Sequence, residues 1–417
     1  MNFDPSQLNW KRILLVLVFV LVCLGLVFLM YLMFFKPLEE QQPAENEQLT
    51  GAELPEISGE FNPQEIGGTG GLPTAGQQAG AGVQPSEVAG GGETKVANLT
   101  KNSVVGMSLR SGGQEVVYFD ESEGKFYRLG ADGEKILLST EKFFNVTEVA
   151  WANDGSRAIL SYPDGLKIYY NFATGQKATL PKEVREPVFN EDGDNIVFKY
   201  ETVNADNNYI MVSRPDGTGG KLIEPLGEEG RKVQTTFSPD ENIVAFYAKP
   251  TGLNSSEIFF IGQAGENFKS LKVEGVNFQG RWSPAGNYLL YHTVTADNDY
   301  NPNLWLGSGP NGSGQSRDLG LQTWVKKCVF AKEDEVYCAV PENLPLGAGL
   351  YPELVESERD VIYKINLLTG RKQLVANPYE EESPVNLKVG KLEISAQNDM
   401  LFLWDEYSGK IYKMKLK

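Results

Sequence analysis

One motif returns along this chain from about Val96 onward, and that periodicity constrains the fold more than any other feature. Val149-Ala-Trp-Ala-Asn-Asp-Gly-Ser-Arg-Ala-Ile-Leu-Ser-Tyr162 comes back as Pro187-Val-Phe-Asn-Glu-Asp-Gly-Asp-Asn-Ile-Val-Phe-Lys-Tyr200. It comes back again as Thr235-Thr-Phe-Ser-Pro-Asp-Glu-Asn-Ile-Val-Ala-Phe246 and as Gly280-Arg-Trp-Ser-Pro-Ala-Gly-Asn-Tyr-Leu-Leu-Tyr291. Fainter copies centre on Leu109, Phe330 and Ile394, which makes seven repeats. The anchors Leu109, Trp151, Phe189, Phe237, Trp282, Phe330 and Ile394 stand 38 to 48 residues apart, except for a last interval of 64. That is close to the span of a four-stranded propeller blade.

Each repeat has a physical reading. An aromatic or apolar anchor ends an inner strand, a Ser-Pro-Asp-Gly-like tetrapeptide turns the chain, and an apolar β-rich run forms the second strand. A third strand of the Ile-Tyr type follows, as in Lys167-Ile-Tyr-Tyr170, Glu257-Ile-Phe-Phe260 and Lys410-Ile-Tyr-Lys413. A turn such as Ala173-Thr-Gly-Gln176 then leads to a short outer strand. No stretch after Glu93 keeps a helical apolar period beyond a turn or two, so the folded part is expected to be all-β. The turn and the run after it, best in Phe237 to Phe246, resemble the repeats of TolB-type, WD-repeat-like β-propellers over the chain from Val96 onward. The resemblance implies a seven-bladed β-propeller of four-stranded antiparallel blades. The turn degenerates in the first, sixth and seventh copies, at Ser111-Gly-Gly, Ala331-Lys-Glu-Asp and Ser395-Ala-Gln-Asn. The last repeat stops at Lys417 after its third strand, and Val96-Ala-Asn-Leu-Thr100 has the form of the missing outer strand. The fold is shared by binding scaffolds and by accessory domains of peptidases, so it does not give the function.

The N-terminal region reads differently. Ile13 to Phe35 is one apolar run without a charge, long enough as a helix to span a hydrocarbon core of about 30 Å. Lys11 and Arg12 precede it, and Glu39 and Glu40 follow Lys36, which places the N-terminus in the cytoplasm and the rest outside. No small-residue cleavage site follows the run, so it is expected to stay as an anchor. Residues 36–93 are rich in Glu, Gln, Pro and Gly, with too little apolar surface to offset chain entropy, and read as a disordered linker. The expected order is therefore residues 1–12 in the cytoplasm, a transmembrane helix at 13–35, a linker at 36–93 and the propeller at 94–417.

Composition narrows the chemistry. With 38 basic against 55 acidic side chains and a net charge of −17, a nucleic-acid partner is not expected. Three Cys and one His leave little for Cys- or His-ligated metals or for histidine-dependent catalysis. There is no Gly-x-Ser-x-Gly elbow, and the lone His292 lies inside a strand, so no catalytic residue and no cofactor is assigned.

Two loops share an octapeptide, Thr202-Val-Asn-Ala-Asp-Asn-Asn-Tyr209 and Thr293-Val-Thr-Ala-Asp-Asn-Asp-Tyr300. Both join second to third strands and project from one face. Asp297, Asp299 and Asn301 alternate as in a calcium loop but lack its Gly and final Glu. A hydrogen-bonded hairpin and partner contact through Tyr209 and Tyr300 are the other readings. The long last interval comes from an insertion, Pro341 to Asp360, in the equivalent loop of the sixth repeat. Its Leu344, Leu346, Leu350, Tyr351, Leu354 and Val355 either pack back over the ring or form a docking surface. Tyr209, Tyr300, Leu346, Tyr351 and Leu354 are thus the candidate contacts to a protein partner. Cys328 and Cys338 flank the hairpin turn of the sixth repeat and are placed to form a disulfide or to stay as buried thiols. The function that follows is an anchored, extracytoplasmic protein-binding scaffold. The alternatives are a glycan-binding or hydrolytic propeller with its site at the central channel, and a structural component of an envelope or secretion assembly.

Overall fold

The computed structural model describes residues 84–417 apart from 111, 112, 114, 131, 132, 356, 357, 381 and 382, together with 19, 21, 22, 24 and 25. Phe19, Leu21, Val22, Leu24 and Gly25 are helical; the remainder of the expected membrane segment, and the linker up to residue 83, lie outside the described residues. Among the described residues no helix is long and apolar enough to cross a membrane.

From Gly92 onward the regular elements among the described residues are strands and single-turn 3-10 helices. The first five repeats each fold into a four-stranded antiparallel sheet with the strands in chain order, as in Val233–Thr235, Ile243–Gly252, Ser255–Gly262 and Leu271–Glu274 of the fourth. The second strand is buried on both faces. Glu115–Asp120, Arg157–Ser161 and Tyr288–Val294 are almost wholly enclosed, because each is covered by neighbouring sheets on either side. That enclosure explains why these segments read as continuous apolar runs rather than as alternating ones. Outer strands see water, and Lys221–Pro225 is exposed at every residue but Ile223.

The apolar clusters lie between consecutive repeats. Phe119, Phe126 and Phe143 of the first meet Ala158, Leu160 and Tyr170 of the second. Phe246 and Phe260 of the fourth meet Phe278, Trp282 and Tyr291 of the fifth, with ring centroids 5.2 to 5.8 Å apart around Phe246. One cluster joins Val104, Met107 and Tyr118 of the first repeat to Phe402 and Ile411 of the last, so the sheets close on themselves.

The inner strands are tied by side chains that reach across to the next repeat. Trp151 Nε1 donates to Gly106 O, and Thr235 Oγ1 donates to Glu186 O at 2.8 Å. Gln234 exchanges two bonds with the Gly280 backbone, at 2.8 and 2.9 Å. Arg281 donates to Cys328 O at 2.6 Å, and Lys391 donates to Met107 O at 2.8 Å. Polar residues in the inner strands are therefore spent on joining neighbours. Gly106 shows how close the approach is, since it sits at φ 66° and an added Cβ would come 2.6 Å from Val149 Cβ.

Closure uses the N-terminal strand Gly92–Asn98. Val96–Asn98 pairs antiparallel with Tyr412–Met414, supplying the outer strand that the last repeat lacks. Its first half does more than that, because Gly92–Lys95 pairs in parallel with Ala376–Tyr379 of the sixth repeat. One strand thus joins the last two repeats into a single nine-stranded sheet. This moves the start of the fold ahead of residue 94. Gly92 and Glu93 are in the strand, Ser86 N donates to Glu93 O at 2.9 Å, and Gly91 N donates to Val375 O at 2.8 Å. Such backbone pairing needs no apolar side chain, so composition alone assigned these residues to the linker.

In the sixth repeat Cys328 and Cys338 face each other across paired strands, with their sulfurs 2.11 Å apart in a disulfide. A buried ion pair lies nearby. Lys327 Nζ donates to both Asp360 oxygens at 3.0 and 2.8 Å, and Asp360 Oδ2 also accepts from Val389 N of the last repeat at 2.6 Å.

Candidate functional site

The loops between second and third strands leave one face of the ring. The two octapeptide copies each form a one-turn 3-10 helix, Ala205–Asn207 and Ala296–Asn298, and diverge after it, where Asn208 is extended and Asp299 is left-handed. In the third repeat Asn204 caps the turn by accepting from Asp206 N, and Asn208 Oδ1 accepts from Thr202 N at 2.7 Å. Tyr209 is half-buried there, and its hydroxyl donates to Asp206 O at 3.2 Å. Asp297 and Asp299 are exposed, while Asn301 is buried with its Oδ1 lacking a partner. No group of three or more His, Cys, Asp or Glu among the described residues is placed to hold a metal ion.

In the fifth repeat the loop ends with Asp299 and Tyr300 both in the left-handed region, at φ 54° and 52°. Their carbonyls then point at the insertion of the sixth repeat, where Gly347 N donates to Asp299 O at 2.8 Å and Gly349 N to Tyr300 O at 2.9 Å. Gly349 also accepts from Asn277 Nδ2 at 2.8 Å, and a Cβ on it would run into Val294 and Tyr300. Only glycine allows this contact.

The insertion divides its apolar residues between two tasks. Ala348 and Val355 are buried against Trp324, with Leu344 packed partly against them, and this cluster holds the loop down on the ring. Leu346, Leu350, Tyr351 and Leu354 face outward, with Leu346 69% and Tyr351 57% exposed. Tyr300, from the loop to which the insertion is bonded, is also exposed. The structure therefore brings Tyr300, Leu346, Tyr351 and Leu354 into one loop pair and leaves Tyr209 in a different loop.

Other loops on this face carry apolar tips that the motif reading passed over. Leu253 caps the long hairpin of the fourth repeat at 94% exposure, Tyr407 lies in the corresponding turn of the last repeat at 82%, and Val203 tips the first octapeptide loop. Phe144, in the connector between the first two repeats, emerges on the same side. On the opposite face Leu368 is the exposed large apolar residue carried by a turn among the described residues. A single Leu or Tyr in a polar loop is ordinary in sequence, and the common face appears only when the repeats are closed into a ring.

His292 is fully buried between the fifth and sixth repeats. Burial, assisted by the Lys326 charge, pushes its pKa down to about 3, so the imidazole is neutral at ordinary pH. Its Nδ1 accepts from Val325 N at 3.3 Å, and its Nε2 is enclosed without a partner. The ring does not face solvent, which fits an interior role.

The architecture can be set beside solved structures. Oligogalacturonate lyase in complex with manganese matches with a TM-score of 0.51 at 12% identity, over 80% of this chain and 96% of that one. The Cps50 (Swd1) β-propeller domain of Myceliophteria thermophila matches with a TM-score of 0.50 at 13% identity, over 77% and 98%. The fold is a β-propeller. The tricorn protease gives a TM-score of 0.49 at 12% identity over 81% of this chain, which spans only 35% of that protein. No protein-family model matches the sequence, and no curated protein matches it. At these identities the likeness is one of fold, shared by enzymes and non-enzymes.

Proposed function

We propose that this chain is a membrane-anchored, extracytoplasmic propeller of seven blades that acts as a protein-binding scaffold rather than an enzyme. The partner docks on the face of the second-to-third-strand loops. One observation carries the reading: the exposed large apolar side chains borne by loops gather on that face, with Leu346, Tyr351, Leu354, Leu253 and Tyr407 against Leu368 on the other. Burying such side chains on a partner releases about 1.5 to 3 kcal/mol each, and aromatic anchors dominate many interfaces. The blade count rests on the seven repeats, with the nine-stranded sheet counted as two blades that share Gly92–Asn98. The anchor and its orientation rest on Ile13 to Phe35 and on Lys11 and Arg12, and a disulfide suits an oxidising compartment. The TolB-type reading of the repeat rests on the Ser238-Pro-Asp turn and the run after it.

Site-specific photo-cross-linkers at Tyr351, Leu253 and Leu368 in intact membranes test the face. Adducts to a partner are expected from Tyr351 and Leu253 and not from Leu368. A partner captured only from Leu368 places docking on the wrong side. Replacing Tyr300 and Tyr351 by Ala should weaken capture by about 1 to 2 kcal/mol per true anchor. Protease added to spheroplasts should remove the propeller, and full protection until lysis defeats the proposed topology.

A further inference from the structure

The loop pair formed by residues 295–301 and 342–359, of which 356 and 357 lie outside the described residues, is apolar at its tips and acidic around them. Asp297, Asp299 and Glu353 are exposed, and their carboxylates accept no hydrogen bond and form no ion pair among the described residues. The sole base in these two segments is Arg359, and it is taken up by Glu342 at 2.7 and 3.0 Å. Several carboxylates on the opposite face are used differently. Asp154 accepts from Ser156 and Arg157, Asp240 from Ser238 and Asn242, and Glu333 from Ser283, Ala285 and Asn287. Those acids build turns, whereas the acids beside Tyr351 are left with unspent charge.

We infer that the occupant of this loop pair is a basic polypeptide segment whose apolar side chains seat on Leu346, Tyr351 and Leu354 while its Lys or Arg residues meet Asp297, Asp299 and Glu353. The inference rests on the reading of this face as an interaction surface and adds the chemistry of the partner. Charge complementarity selects it. An anionic lipid surface or a nucleic acid brings negative charge against unpaired carboxylates, and an acidic protein segment does the same. A cationic segment gains pairing there that none of the described residues supplies, and apolar contact alone would leave the three carboxylates partly desolvated without partners.

The test uses the full chain in nanodiscs and a short fluorescent peptide of Lys and Leu with one Trp, read by anisotropy at about 0.15 M salt. Its counterpart has Glu in place of every Lys. The Lys peptide is expected to bind, and the Glu peptide to bind at least about tenfold more weakly. The triple reversal Asp297→Lys, Asp299→Lys, Glu353→Lys should invert that order. Reversal of Glu191, Asp192 and Asp334 on the opposite face should change binding of the Lys peptide by less than about twofold, which separates the site from general attraction to an acidic protein. Equal binding of the two peptides, or equal effects of the two triple reversals, overturns the inference. Binding of phosphatidylglycerol vesicles that competes with the Lys peptide also overturns it. The variant Leu346→Ser, Tyr351→Ser, Leu354→Ser distinguishes the two levels: if it abolishes partner cross-linking while charge reversal has no effect, the face stands and the basic partner falls.

Discussion

Acid should unfold this propeller in a window set by one side chain. The chain has a single histidine, and His292 is held near pKa 3 in the fold against an ordinary value of 6.5. Between those values the unfolded chain binds a proton that the folded chain does not. Stability is therefore retained above pH 6.5 and lost as pH falls, at about 1.4 kcal/mol per unit. At pH 5 the loss from His292 alone comes to about 2 kcal/mol, a large share of the stability of an ordinary domain. Carboxylates enter later. Burial raises Asp154 and Asp240, but the hydrogen bonds of their turns hold both below the usual 3.8, so their contribution is lost only as pH falls below that value. The perturbation is His292→Gln, which keeps an acceptor available to Val325 N and removes the titration. Urea unfolding of residues 84–417 is measured for both proteins at pH 7, 6 and 5. The wild-type protein should lose about 2 kcal/mol relative to the variant between pH 7 and 5, and its imidazole resonances should stay those of a neutral ring. A pH-independent difference between the two, or an imidazole titrating near 6.5, refutes the argument.

Further outcomes follow from other features. Lys327→Met should cost about 3 to 5 kcal/mol in denaturant unfolding because Asp360 is left buried and unpaired, and adding Asp360→Leu should return much of the loss. Removal of residues 85–102, comparing chains that start at Pro85 and at Ser103, should lower stability by about 5 kcal/mol through the ladder bonds of Gly92–Asn98 lost on both sides and the exposure of the apolar side chains that Val96 covers. Gly106→Ala should cost at least about 2 kcal/mol, from a left-handed backbone and a Cβ pressed on Val149, whereas Gly133→Ala, with open space around it, should cost only the backbone part.

The all-β architecture was legible because the second strands, such as Ile243–Phe246, must be apolar on both faces wherever two sheets enclose them. The antiparallel half of the closing strand was legible too, since Val96-Ala-Asn-Leu-Thr100 has the form of an outer strand just ahead of the first inner one. Its parallel half was not, because Gly92 to Lys95 pair through backbone groups that carry no side-chain pattern. The insertion was recognisable as over-rich in Leu, yet the division between Val355 inside and Leu354 outside depends on Trp324, which comes from an earlier segment. The Lys327 to Asp360 pair escaped for the same reason: each residue alone looks like one of many surface charges. Leu253 and Tyr407 acquire meaning from the common face, a property of the closed ring and not of either loop.

The clasp at Gly92–Asn98 also sets an order of events during synthesis. Ile411 N donates to Thr100 Oγ1 across 311 residues, and Val96–Asn98 has its antiparallel partners only in the last strand. At about 5 to 20 residues per second the first strand made waits roughly 15 to 60 seconds for its mate. Until then the sixth repeat offers it one edge and the first repeat lacks its last neighbour. The nascent chain therefore carries an unpaired β-edge while the intervening repeats are made, and its safest course is to leave the first strand loose until Ile411–Lys415 emerges and lets the ring lock in one late step.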